Sequence, residues 1–418
     1  MNIHFKYIMN SNILLYLYPF VHINCKDEIL FYNTLNGHFF ISNSKIGRKI
    51  INKLQSSANK TVVLDRDMYR NRRQIFEFVK KIIENNMGNI LDYSSEKKQA
   101  IQFTQGIKIQ KGIEFLTNKK DRTIGEEILN YLSEVNIYLN GSCKLDCDSC
   151  SYGYKQTFTC KRTNPKSELK VEDVKNLIDL FSGIPINTLH ISGGDIFRYN
   201  GLEDILLYLQ NKKFQTVLYV NSVLFFRNWH YLINKNIFIN IIINNIDNIE
   251  ISELQNILEK NFINYIITFF INSEDQLKKL DLITMKLDAS RIDLKAIYNH
   301  KNFDFFEENV FIDKKMLFKD KYSLNEINRK QSINYNFFGK LTINNDGMIY
   351  SNINGIPLGN IRLTTLQEAI YKELDKNQFW RLLRKNVLPC SGCYNNSICP
   401  DISNYEIILG KYNLCQSN

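Results

Sequence analysis

From residue 133 onward the chain alternates short apolar runs with stretches of helical period. Apolar runs fall at 135–139, 188–191, 216–220, 237–243, 265–271 and 292–297. Between them, apolar residues recur at helical spacing over 171–181, 202–209, 225–233, 251–258 and 273–285. Apolar strands that alternate with helices predict a parallel sheet covered by those helices. Six such steps predict an α/β fold built as a partial, TIM-like (β/α)6 barrel, not a closed barrel of eight. The first hundred residues differ. Segments 12–23 and 28–41 read as strands, with turn signals at Lys26-Asp27 and Asn36-Gly37. Helical spacing follows in Ile46, Ile50, Ile51 and Leu54, and again in Ile75, Phe78, Val79, Ile82 and Ile83, after a charged run at 65–73. Ile90-Leu91 reads as a short strand. Strands followed by helices predict a winged-helix-like module. Beyond 302 the pattern is irregular. A hairpin is predicted from 341–343 and 348–350 around the turn at 345–347, with helices over 366–373 and 378–383. The predicted boundaries are a module at 1–100, a linker at 101–132, the partial barrel at 133–302 and a cysteine-rich domain at 303–418.

The cysteines change this picture most. Three stand in Cys143-Lys-Leu-Asp-Cys147-Asp-Ser-Cys150, just past the first strand of the repeating part, and four more lie at Cys390, Cys393, Cys399 and Cys415. Tight spacing in an intracellular protein points to metal, not disulfides. Three thiolates on one loop can hold three corners of a cubic iron–sulfur cluster and leave one iron without a protein ligand, a place for chemistry. Gly193-Gly194-Asp195 stands just past the second strand. In parallel α/β folds the strand C-termini carry the working groups, so both motifs lie where a ligand site is expected. Net charge is +10, with bases and acids mixed along the chain, which reads as a solvated basic surface. No nucleic-acid motif accompanies it, so nucleic acid is not expected as a partner. No run reaches the roughly 18 uninterrupted apolar residues of a membrane span. The start of the chain has no apolar core with a small-residue cleavage site, so no signal peptide and a cytoplasmic location are expected.

Together these residues resemble the radical S-adenosylmethionine (SAM) enzymes. The resemblance implies that Cys143, Cys147 and Cys150 ligate a SAM-binding [4Fe-4S] cluster. SAM's methionine end would meet backbone groups of Gly193, Gly194 and Asp195, its ribose Asn221 and Ser222, and its adenine Ile297. Two positions depart from the family pattern: Ser149 where an aromatic residue is usual, and Asp195 where Glu is more frequent. The tail resembles the SPASM extension of peptide-modifying members. A glycine (Gly347) is in place in the preceding hairpin, but Asn352 and Ser403 stand where that extension has cysteines. Cys390, Cys393, Cys399 and Cys415 match the ligands of the outer of two auxiliary [4Fe-4S] clusters, so the resemblance implies two clusters in total. The N-terminal module resembles a leader-peptide recognition element, which adds its peptide as a strand to a sheet edge. The stretch 303–310 and the tail look most like a pseudo-radical-SAM/SPASM branch from Bacteroidales GG-leader peptide systems, some of whose members lack the first cluster's cysteines. The implied activity is radical modification of a ribosomally made precursor peptide, with an electron donor such as flavodoxin or ferredoxin. No protein acid or base is assigned.

Plainer readings stand beside these. Zinc is the alternative for both cysteine groups, since tetrahedral thiolates suit either metal. Gly193-Gly194-Asp195 alone is an ordinary strand-to-helix turn. Cys25 and Cys160 read as non-ligand thiols, and Phe303–Phe306 as core packing. The six histidines form no cluster with ligand spacing. Two further functions remain open. One is a degenerate partner that binds precursor peptide for another maturase, motivated by Ser149, Asn352 and Ser403. The other is a zinc-bearing nucleic-acid-binding protein, motivated by the charge and the four-cysteine tail.

Overall fold

A computed structural model describes residues 13–56, 61–64, 73–92, 127–233, 235–248, 251–261, 263–284, 287–376 and 378–416. The charged run at 65–72 and the connecting stretch at 94–120 lie outside the described residues. Backbone contacts divide the chain into two units. One combines 1–112, 313–333 and 383–401; the other combines 113–312, 334–382 and 402–418.

In the first unit, β1 (Ile13–Leu17) lies between β5 (Thr61–Leu64) and β6 (Gly88–Asp92), antiparallel to both. A second sheet is the meander β2 (Val21–Cys25), β3 (Ile29–Asn33), β4 (Phe39–Ser42). Helices α1 (Lys45–Ser56) and α2 (Arg73–Glu84) supply the rest of the core. Ile13, Leu15 and Leu17 alternate inward from β1 against Ile50, Leu54, Phe78 and Ile82. The same alternation sorts β2. His22 and Asn24 face the cysteine-rich segment: His22 Nε2 meets Ser397 Oγ at 2.9 Å, and Asn24 Nδ2 donates to Tyr394 O and Asn396 Oδ1, each at 2.8 Å. Cys25 packs against the core and takes Arg48 Nη1 at 3.3 Å.

The second unit is built on a nine-stranded sheet. Its heart is six parallel strands in chain order: β7 (Glu134–Tyr138), β8 (Thr188–Ser192), β9 (Gln215–Asn221), β10 (Phe238–Ile243), β11 (Asn264–Ile271) and β12 (Ile292–Ala296). Helices Val171–Ser182, Leu202–Leu209, Ser222–Asn228, Ile251–Lys260 and Glu274–Thr284 connect them. The strand β13 (Lys340–Ile343) joins β7 in parallel, and β14 (Met348–Tyr350) and β15 (Gly359–Asn360) continue antiparallel, so the C-terminal hairpin extends the same sheet. Among the described residues no helix is long and apolar enough to cross a membrane.

Three stretches differ from the pattern-based expectation. Each long N-terminal strand is two strands. Pro19, without an N–H, sits in a tight turn closed by Val21 N–H to Tyr18 O at 3.1 Å, and Gly37, at φ 79°, turns β3 into β4. The stretch beyond 302 is more regular than its pattern suggested. Phe303–Val310 is a helix with Phe306 fully buried, and Leu324–Lys330 is a helix begun by a Ser323/Glu326 capping box. The helix Leu366–Lys376 does not continue over 378–383. The buried Glu373 carboxylate accepts the N–H groups of Phe379 and Trp380 at 2.7 and 2.8 Å, and these donors leave the helical ladder. Of the stretch Phe303–Phe306 expected in the core, Phe306 is buried against Tyr298, Phe311 and Tyr405, whereas Phe303 is exposed.

Candidate functional site

The loop that follows β7 carries Cys143, Cys147 and Cys150, and a 3-10 turn (Asp148–Ser151) holds the last of them. The three line one pocket with Cys160, Gly194 and Asn221. Each sulfur of the triplet meets an N–H donor. Leu145 N–H points to Cys143 Sγ at 3.4 Å, Asn221 Nδ2 to Cys147 Sγ at 3.9 Å, and Arg162 N–H to Cys150 Sγ at 3.3 Å. Burial raises the Cys143 and Cys147 thiols, Cys147 to about 11, with the neighbouring thiols adding to the shift. Among the described residues no three His, Cys, Asp or Glu side chains stand close enough to hold a single metal ion.

The Gly193-Gly194-Asp195 turn is bound to the segment that leads into the triplet. Gly194 N–H donates to Asn140 O at 3.0 Å and Asp195 N–H to Ser142 O at 2.6 Å, while Asn140 Nδ2 donates to Asp195 O at 2.8 Å. A Cβ on Gly193 would run into the Asn140 side chain, and one on Gly194 into Ser142 backbone. Two glycines therefore let the second loop lie against the first. The Asp195 carboxylate accepts Phe197 N–H at 3.2 Å and caps a 3-10 turn; burial raises its pKa against that bond.

Asn221 ends β9 and caps the next helix through Val223 N–H, while its amide reaches Cys147. Ser222 is buried as the first residue of that helix. Ile297 follows β12 and is buried with Ile242 and Phe270, against Tyr152, Cys160 and Tyr219. The pocket thus gathers the triplet, Gly194 and Asn221; Ser222 and Ile297 do not line it. In the tail, Arg384 Nη1 reaches Cys390 Sγ at 3.7 Å and Asn395 N–H reaches Cys393 Sγ at 3.4 Å. Lys330 Nζ donates to Ile398 O at 2.6 Å, beside Cys399. These belong to the first unit; Cys415 belongs to the second, where it bridges to Ile312.

The segment after the triplet supplies residues that spacing did not flag. A helical turn (Gly153–Gln156) leads to Phe158, whose ring lies 4.9 Å from those of Tyr138 and Tyr219 and 6.0 Å from His190. Cys160 follows, pushed up to about 12 by burial, then Lys161 and Arg162, which also line the pocket. The one signal in the sequence was the nearness of Cys160-Lys161-Arg162 to the triplet. On the same sheet face, Ser192 Oγ, Asn240 Oδ1 and Thr268 Oγ1 are buried without a protein partner. Their shared face follows from strand alternation: Ser192 is two residues beyond His190, Asn240 pairs with Tyr219, and Thr268 pairs with Ile242.

The two positions that break the cysteine pattern of the tail are occupied by hydrogen bonds. Asn352 Nδ2 donates to Asn404 Oδ1 at 2.7 Å, and Asn404 Nδ2 to Gln156 O at 3.1 Å. Asn354 Nδ2 donates to Lys155 O at 2.7 Å. Ser403 starts the helix Asn404–Leu409, giving its N–H and its hydroxyl to the buried Glu406 carboxylate at 2.6 and 2.9 Å. This polar network ties the hairpin and the last helix to the turn behind the triplet. Ser403→Ala is expected to lower stability by about 1–2 kcal/mol, the usual cost of losing an N-cap hydroxyl, read as a lower denaturant midpoint at unchanged slope.

No family model matches the chain, and no curated protein matches it. Among solved structures, Streptococcus suis SuiB bound to precursor peptide SuiA is similar at TM-score 0.45 and 13% identity, over 96% of this chain and 100% of that one. The same protein bound to S-adenosylmethionine gives TM-score 0.45 and 13% identity, over 96% and 99%. The protein anSMEcpe, with bound AdoMet and Cp18Cys peptide, gives TM-score 0.44 and 14% identity, over 64% and 87%.

Proposed function

We propose that this chain is a radical SAM enzyme that modifies a ribosomally made peptide. The observation that carries the reading is the triplet pocket. Three soft donors past the C-terminal end of a parallel strand share one pocket, and each sulfur has its own N–H donor. A structural tetrahedral zinc is held by four protein ligands, and the triplet supplies three thiolates. A cubic cluster takes one thiolate on each of three irons. The N–H donors to sulfur are what a cluster's thiolates use to stabilise negative charge. SAM bound at such a site supplies a 5′-deoxyadenosyl radical that abstracts hydrogen from a substrate.

On this reading Cys143, Cys147 and Cys150 hold the SAM-binding cluster and the parallel sheet is a partial barrel. The glycines 193 and 194 keep the second loop tight against the first, and Asn221 orients Cys147. The tail cysteines Cys390, Cys393, Cys399 and Cys415 are assigned, from their spacing, to one auxiliary cluster in a SPASM-like region, and residues 1–100 to leader-peptide recognition. A second reading, a non-catalytic peptide-binding partner, is favoured by one observation: Tyr152, Cys160 and Tyr219 pack against Ile297, where the adenine would lie.

Anaerobic purification, reconstitution with iron and sulfide, and an assay of SAM cleavage with a reductant separate the readings. About eight irons per chain with release of 5′-deoxyadenosine is the expected result. About four irons without cleavage would favour the partner, and zinc in place of iron would sink both.

A further inference from the structure

Lys161 is a buried cation whose contacting partners are neutral, and the Asp346 carboxylate attracts it only from beyond salt-bridge distance. Its Nζ lies 3.2 Å from Asn344 Oδ1, 4.6 Å from the ring centre of Tyr154 and 5.4 Å from that of Tyr138. Its side chain is only 8% exposed. Among the described residues no carboxylate makes a salt bridge to it, whereas Arg162, its neighbour, is exposed and meets Asp146 at 3.5 Å. Burying an ammonium without an anion is costly, and ring faces and one amide oxygen offset only part of that cost. Such a position is stable when an anion shares the site. The groups that share it are the three thiols of the triplet, since Lys161 lines the same pocket. Its backbone N–H, bonded to Gly193 O at 2.8 Å, fixes it between the two loops.

We propose that Lys161 is the fixed counter-charge of the cluster held by Cys143, Cys147 and Cys150, and that it sets how readily that cluster accepts an electron. This rests on the cluster reading above. Three thiolates leave an iron–sulfur core anionic, and one-electron reduction adds a further negative charge. A desolvated ammonium beside it stabilises the reduced form more than the oxidised one, because the attraction grows with the charge. Lys161 is thus a positioning residue for electrons.

The test is a redox titration of the reconstituted full-length chain with dithionite, followed by electron paramagnetic resonance. The wave due to the triplet is identified as the one lost in the Cys143/Cys147/Cys150→Ala variant. Lys161→Met keeps the stem and removes the charge, and should move this wave to more negative potential. Lys161→Arg should leave it near the wild-type position, and the wave from the tail cysteines should stay put in both. Lys161→Gln, which keeps a polar group near Asn344, should behave like Lys161→Met and replaces it if that chain fails to load iron. An unmoved triplet wave in the neutral variants, or an equal shift in Lys161→Arg, overturns the proposal while leaving the cluster intact. Absence of any triplet wave in the wild type overturns the cluster reading, and this proposal with it.

Discussion

Replacing Cys143, Cys147 and Cys150 together by alanine is expected to remove about four of about eight irons per chain and to abolish 5′-deoxyadenosine release. The loss should be that large because the three sulfurs line one pocket and supply all the protein ligands assigned to the SAM-binding cluster. Cys160→Ala is the matched control. Its sulfur lines the same pocket, yet it packs against Ile242, Phe270 and Ile297 and is pushed up to about 12 by burial. It also stands outside the C-x3-C-x2-C spacing of the triplet, so it is assigned no ligand role. The control should keep its iron and its cleavage rate within a few-fold. Iron analysis of the two variants side by side decides the ligand set. If Cys160→Ala loses as much iron as the triple variant, the set is wrong, and a triple variant that keeps all its iron removes the basis for the SAM reading altogether.

The parallel half of the chain was legible because its central strands, β10 and β11 above all, are buried on both faces. Runs such as 237–243 and 265–271 are apolar but for Asn240 and Thr268, and the structure places β10 and β11 there to within a residue. The N-terminal strands were misjudged for the opposite reason. Their residues stay apolar through Tyr18-Pro19-Phe20, so hydrophobicity hid a turn that only proline's missing N–H betrays. The triplet and the Gly-Gly-Asp turn were legible by spacing, but the reason for the glycines was not. They accommodate Asn140 and Ser142, a contact set by how two loops of neighbouring strands meet. For Lys161 the only signal was nearness to the triplet: a lysine in a polar stretch reads as solvated until the fold places it between two tyrosines. Asn352, read as a missing ligand, belongs to a hydrogen-bonded network that depends on Asn404, a residue with no motif to mark it, and Ser403, read likewise, pairs with Glu406 at the start of the last helix.

Acid is expected to destabilise the second unit through His190, and this should be the largest effect of a single titrating side chain. His190 Nδ1 lies 3.2 Å from Tyr219 Oη, and Nε2 lies 3.8 Å from Glu134 Oε2. Glu134 is also held by Lys340 at 2.9 Å, which weakens its pull on the imidazole. Burial outweighs the attraction and pushes His190 down from 6.5 to about 4. The sign follows from proton binding. Near pH 7.5 the ring is neutral both folded and unfolded, so it contributes nothing to pH dependence. As pH falls through 6.5 the unfolded chain takes up a proton that the folded chain refuses until about pH 4. Stability is therefore lost across that window, by roughly 3 kcal/mol in total at about 1.4 kcal/mol per pH unit. Denaturant unfolding of wild type and His190→Gln at pH 7.5 and pH 4.5, at equal iron content, reads this directly. The variant starts lower at pH 7.5, because it loses ring packing against Phe158 and Tyr219. Its decline towards pH 4.5 should be shallower than wild type by roughly 2–3 kcal/mol, with all other titrating groups cancelling between the two chains. Parallel declines would mean that His190 takes up its proton at the same pH folded and unfolded, and hence that the pull of Glu134 cancels the effect of burial.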